Sequence, residues 1–75
     1  LKEIKGKIVG ENFVLNEALV FDSIKVYDQL GKLKLSPPSN KNQFSLCSLS
    51  KGIYLVEVYL DGRSAVQKVS WSPKG

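Results

Sequence analysis

Apolar and polar residues alternate along much of this chain. Over residues 23–28, Ile24 and Val26 alternate with Lys25 and Tyr27. Side chains that repeat with a period of two lie on opposite faces of a β-strand. No segment repeats apolar residues at the three- and four-residue spacing of a helix over three turns. The sequence therefore predicts an all-β domain.

Short runs of this kind follow one another at about eight- to twelve-residue spacing, with turn residues between them. The first run covers Glu3 to Val9, with Gly6 as a bulge or a point of close approach. The region after the second run leaves two alternatives, extended pieces that include Leu19 and Phe21 or a helical turn over Asn16 to Val20. We predict about seven strands in an antiparallel two-sheet β-sandwich of immunoglobulin-like form.

The last third of the chain is predicted to form a β-hairpin. Asp61 and Gly62 stand between two runs rich in β-branched and aromatic residues, and such a pair favours a type I′ turn, which needs positive φ at both positions. One face of the first strand carries Tyr54, Val56, Val58 and Leu60, and the other carries Ile53, Leu55, Glu57 and Tyr59. Because both faces are largely apolar, we predict that this strand is central. In the return strand, Val66 is out of phase with Ala65, Val69 and Trp71.

A second hairpin is predicted around the turn at Asp28 to Gly31, where Gly31 is free to take positive φ. Tyr27 and Asp28 end its first strand, and Lys32 to Leu35 returns with Leu33 and Leu35 directed inward. Tyr27, Asp28, Gly31 and Asp61 are thus assigned structural roles at turns.

The middle of the chain predicts a loop followed by a short strand. Pro37 and Pro38 cannot donate to a β-ladder, so residues 36–42 are expected to be a loop. Gln43 to Cys47 alternates again, and we expect Cys47 to be a buried, inert thiol because free cysteine is commonly buried.

Composition limits the domain organisation. The chain has 75 residues, enough for one small core, and it begins at Leu1 rather than Met. We expect residues 1–75 to form a single domain excised from a longer secreted protein. No apolar run approaches the roughly 20 residues that span a bilayer. The net charge is +4 with scattered lysines, so no nucleic-acid partner is expected.

The residue types argue against an enzyme. The chain has no histidine and one cysteine, which excludes a Ser-His-Asp triad and a Cys/His zinc site. We expect no catalytic residue, no metal site and no cofactor. Four aromatic residues leave open an alternative function as a small adhesion or carbohydrate-binding module: Tyr27, Tyr54, Tyr59 and Trp71.

Two segments resemble the C-terminal sorting domains of the bacterial type IX (Por) secretion system. The first is residues 24–32, similar to the family's strand ending in a Tyr-Asp-x-x-Gly-Lys/Arg turn. The second is residues 49–58, similar to its Leu-x-x-Gly-x-Tyr strand, followed by Gly62 and by Lys68 and Val69. The resemblance implies a cargo address that is recognised by the outer-membrane secretion machinery.

The resemblance further implies that the domain folds in the periplasm and carries its parent to the cell surface or the medium. It implies recognition through Gly52, Tyr54, Val58, Gly62 and Lys68. A sortase-like surface peptidase usually removes such domains. An exposed edge next to the two-sided apolar strand would also allow an edge-strand dimer.

Two departures from the family pattern bear on cleavage. The first strand lacks the Pro-Asn-Pro-like segment common in the family, and residues 1–7 read Leu-Lys-Glu-Ile-Lys-Gly-Lys instead. The sequence also continues through residues 71–75 after the last strand. These departures predict a domain that is retained, for example on a component of the surface attachment machinery.

Overall fold

The computed structural model describes residues 4–17 and 20–73 and is built of β-strands. Within those residues there is no helix, which confirms the predicted all-β class. The seven strands are β1 (Gly6–Val9), β2 (Asn12–Leu15), β3 (Ser23–Asp28), β4 (Leu33–Leu35), β5 (Gln43–Ser45), β6 (Gly52–Leu60) and β7 (Arg63–Trp71).

The strands form two antiparallel sheets. One sheet has the order β1-β2-β5 and the other has the order β4-β3-β6-β7. The chain passes between the sheets after β2, after β4 and after β5, so the two sheets are interwoven into one sandwich. Strand β6 lies between β3 and β7 and is therefore central, as its two apolar faces predicted.

The β6–β7 hairpin has the predicted turn. Asp61 has φ 52° and Gly62 has φ 76°, the pair of positive values that a type I′ turn requires. From this turn the register runs without a break from Leu60 opposite Arg63 to Gly52 opposite Trp71. The side chain of Asp22 accepts a hydrogen bond from the Asp61 N–H at 3.0 Å, which ties the turn to the start of β3.

The core lies between the sheets and takes one face of each long strand. Tyr54, Val56 and Val58 of β6 are buried, as predicted. They pack in a cluster with Phe13, Leu15, Phe21, Ile24, Val26, Phe44, Leu46, Leu49, Val69 and Trp71. Among the described residues no charged or polar side chain is fully buried, so hydrophobic packing holds the sheets together.

A polar contact joins the sheets at one side of the sandwich. The side-chain amide of Gln67 in β7 accepts a hydrogen bond from the Gly6 N–H and donates one to the Gly6 carbonyl, both at 2.8 Å. Gly6 also makes the close approach that the sequence suggested. A Cβ at this position would lie 2.4 Å from the Phe13 ring, so a side chain does not fit without movement.

Two expectations about individual side chains are wrong. Leu33 is 48% exposed rather than inward, because the pairing of β3 with β4 shifts register between Val26 and Tyr27. Cys47 is exposed rather than buried, because β5 ends at Ser45 and Cys47 lies in the following turn. Leu19, in the region for which the sequence left two alternatives, lies outside the described residues.

The position of β6 gives a stability prediction. Val56→Ala removes two buried carbon atoms and leaves a cavity, so we expect it to lower the free energy of unfolding by about 1–3 kcal/mol. Val66→Ala is the matched control, because Val66 is 57% exposed on the neighbouring strand. Urea denaturation of both variants measures the difference, and equal midpoints would contradict the central placement of Val56.

Candidate recognition surface

The five residues implied in recognition do not share one surface. Tyr54 and Val58 point into the core and are only 6% and 4% exposed. The Tyr54 hydroxyl donates a hydrogen bond to the Ser50 carbonyl at 2.7 Å, which fixes the loop before β6. In the folded domain these two side chains therefore support the strand and are not available to a partner.

The two glycines of this set occupy different conformations. Gly62 is exposed at the tip of the hairpin, and its positive φ disfavours any side chain there. Gly52 is the first residue of β6 and does not have a positive φ. A Cβ at Gly52 would make only ordinary contact with the Tyr54 ring at 3.7 Å, so neither the backbone angle nor the packing requires glycine at this position.

Lys68 is the member of the set that has an exposed, charged side chain. It stands opposite Leu55 in the register, on the face of the four-stranded sheet that points away from the core. Among the described residues it has no ion-pair partner. Its charge is therefore open to a partner molecule.

The turn after β3 is organised by the Asp28 carboxylate. It accepts hydrogen bonds from the backbone N–H groups of Lys32 and Leu30, each at 2.9 Å. Gly31, with φ 83°, closes the turn by donating to the Asp28 carbonyl at 3.0 Å. The hydrogen bond from Lys32 is the largest cause that holds the pKa of Asp28 below its ordinary value. Desolvation acts in the opposite direction, and the hydrogen bond from Leu30 and the charges of Lys34 and Lys32 add to the lowering.

The two signature segments meet at one end of the sandwich. Asp28 stands opposite Tyr54 in the β3–β6 pairing, which brings the Asp28–Gly31 turn beside the loop before β6. Trp71 anchors that loop by donating a hydrogen bond from its ring N–H to the Leu49 carbonyl at 3.0 Å. Between the segments is a shallow, polar pocket of about 240 Å³, lined by Asp28, Gln29, Leu30, Lys34, Ser50, Lys51, Gly52, Ile53 and Tyr54.

The outer face of the four-stranded sheet carries a small polar cluster. The Glu57 carboxylate accepts hydrogen bonds from the hydroxyls of Tyr27 and Tyr59, at 3.4 and 3.2 Å. The hydrogen bond and the negative charge of Glu57 raise the pKa of Tyr59. Tyr54 and Trp71 belong to the core instead, so the four aromatic side chains do not assemble into one carbohydrate platform.

One residue that joins the two sheets was missed from the sequence. Gln67 is a single polar residue in an alternating strand, and nothing in its neighbours signals a bond to Gly6, which lies 61 residues away. The described residues contain no group of histidine, cysteine and carboxylate side chains that could hold a metal ion. They also contain no helix with the length and hydrophobicity that a membrane crossing requires.

Comparison with known families decides the identity. The sequence model of the secretion system C-terminal sorting domain matches residues 3–71, nearly the whole chain. The chain belongs to this family of type IX sorting domains. No curated protein matches it. The match covers both signature segments and all seven strands.

Family membership sets the general function of this sorting domain. It supports a C-terminal signal for type IX secretion, which interacts with that secretion machinery. It implies export across the outer membrane, to the cell surface or into the medium. The family is one of sorting signals and not of enzymes.

The Asp28 turn gives a prediction for the stability of the domain at acidic pH. Because the folded pKa of Asp28 is below its unfolded value of about 3.9, its stabilising effect is complete above that value. The effect is lost as the pH falls from about 3.9 through the folded pKa. Asp28→Asn should therefore lose less stability than the wild-type domain between pH 5 and strong acid. Thermal denaturation across that range measures it, and parallel curves would count against the role of the carboxylate.

Proposed function

We propose that this domain directs its parent protein across the outer membrane, and that the β6–β7 hairpin presents the recognised surface. The observation that carries the proposal is the family match over residues 3–71. The geometry supports the choice of hairpin, because this element places a fixed turn and an exposed cation on the surface while its other face builds the core.

Within the hairpin, we assign the contact with the machinery to Lys68 and to the turn at Gly62. Both are exposed, and neither the Lys68 side chain nor the turn at Gly62 packs in the core. Tyr54 and Val58 act indirectly, because their burial keeps β6 in place. Gly52 belongs to the polar pocket beside the Asp28 turn and supports the same end of the sandwich.

The proposed route runs through the periplasm, where the domain folds before the outer-membrane machinery binds it. A sortase-like surface peptidase is the proposed partner after export. The changed sequence before β1 supports retention on a surface attachment component rather than removal. The size of the exported protein, measured by immunoblot, distinguishes the two fates.

Two lesser proposals concern other partners. The edges of β6 are both paired, so an edge-strand dimer would have to form through one of the edge strands, of which β7 is the one that neighbours β6. An adhesion or carbohydrate-binding function would rest on Tyr27 and Tyr59 alone, whose hydroxyls already contact Glu57. Sedimentation and a glycan titration followed by tyrosine fluorescence test these two alternatives.

The main proposal is tested by reversing a single charge. In an exported reporter that carries this domain, Lys68→Glu should abolish or strongly reduce surface delivery because it replaces an exposed attractive charge with a repulsive one. Lys41→Glu is the matched control, since Lys41 is also exposed but lies in the loop before β5. Cell fractionation locates the reporter, and thermal denaturation of the purified variants shows whether they fold equally well.

Loss of delivery with Lys68→Glu alone, at unchanged stability, is the expected result. Equal delivery by both variants would overturn the assignment of Lys68. Val58→Ala gives the contrasting case, because delivery should fall only as far as the folded fraction falls and should recover at lower temperature.

A further inference from the structure

Strand β7 forms a long open edge of the four-stranded sheet. It has nine residues and pairs only with β6 among the described strands. In a two-residue hairpin the residues flanking the turn, Leu60 and Arg63, exchange backbone hydrogen bonds, and the pairs alternate from there. The backbone N–H and C=O groups of alternate residues therefore point away from β6: Ser64, Val66, Lys68 and Ser70.

Beside this edge the sandwich is open at one end. Ile8 of β1 stands opposite the buried Phe13 and so faces inward, yet it is 37% exposed. Gln67 closes the space between β1 and β7 at Gly6. Farther along, the two strands leave a groove of about 580 Å³, lined by Ile8, Gly10, Glu11, Ser70, Trp71 and Ser72.

The charged side chains of this edge strand are all positive. Strand β7 carries Arg63 and Lys68, both exposed, and no carboxylate. Glu11 is the acidic residue of the groove and lies at its other wall. A partner would therefore be expected to carry a carboxylate near Lys68 and an uncharged, apolar group in the groove.

We propose that β7 binds an extended segment of another protein as an added, antiparallel strand. Such a strand would pair with the outward backbone groups and place an apolar side chain opposite Trp71, in the groove beside Ile8. Because Trp71 faces inward and Lys68 faces outward, the residue opposite Lys68 comes three positions later in the partner and points out of the sandwich. The recognised pattern is therefore an apolar residue, two further residues, and then Asp or Glu.

A second copy of this chain is a poorer occupant of the same edge. Its own β7 would bring Arg63 and Lys68 to a strand that already carries those cations, and it would supply no carboxylate. Like charges on neighbouring strands oppose pairing. The inference concerns binding at the edge itself and does not rest on the proposed role in secretion.

The test is a titration of the isotope-labelled 75-residue chain with a short capped peptide that contains Leu-Thr-Val-Glu flanked by threonines. Amide shifts should change along β7 and around Ile8 and Trp71. The matched peptide with Lys in place of Glu should bind about three- to tenfold more weakly, the range for exchanging one exposed attractive pair for a repulsive one.

Three variants of the chain assign the binding to the edge. Val66→Pro removes an outward N–H without touching the ladder to β6, so it should weaken binding at least as much as the charge change does. Val66→Thr keeps that N–H and should bind like the wild-type chain. Lys68→Glu should reverse the preference between the two peptides.

Each outcome bears directly on the proposal. Binding that depends on Val66 and Lys68 in this way supports it. No change in amide shifts at millimolar peptide, shifts that lie elsewhere, or binding unaffected by Val66→Pro would overturn it. Concentration-dependent self-association through β7 that excludes the peptide would also overturn it, in favour of a second copy.

Discussion

The two-residue turn at Asp61 and Gly62 sets the register of β6 against β7. Since side chains alternate between the faces of a strand, a slip of one residue would move Tyr54, Val56 and Val58 from the core to solvent. If β6 kept its place instead, the same slip would turn Lys68 inward and Val69 and Trp71 outward. In a domain this small, one buried face of one hairpin is a large part of the core, so the fold depends on that local turn.

The same alternation separates the residues that build the domain from those that a partner can reach. Toward the core, β6 supplies packing and β7 supplies Val69, Trp71 and the bond of Gln67 to Gly6. Away from the core, the sheet carries Lys68 and the tyrosine–glutamate cluster. Residues that belong to the same sequence motif therefore have different physical roles. Some are buried and hold the strand in place, and others are exposed on the surface.

Much of the fold could be predicted because its signals are local. Asp61-Gly62 and the alternation around Ile24 specify strands and turns within a few residues of chain. Leu33 and Cys47 were misplaced because their exposure depends on a register shift and on where a short strand ends, which neighbouring residues do not specify. The Gln67 contact and the groove beside Trp71 require two strands that meet only after folding.

The most direct test of the account is to place residues 1–75 at the C-terminus of an exported reporter in a bacterium with a working type IX system and to locate the reporter. The account predicts reporter outside the outer membrane, on the cell surface or in the medium. A folded reporter that stays in the periplasm would contradict it, because the sandwich would then lack a sufficient export signal.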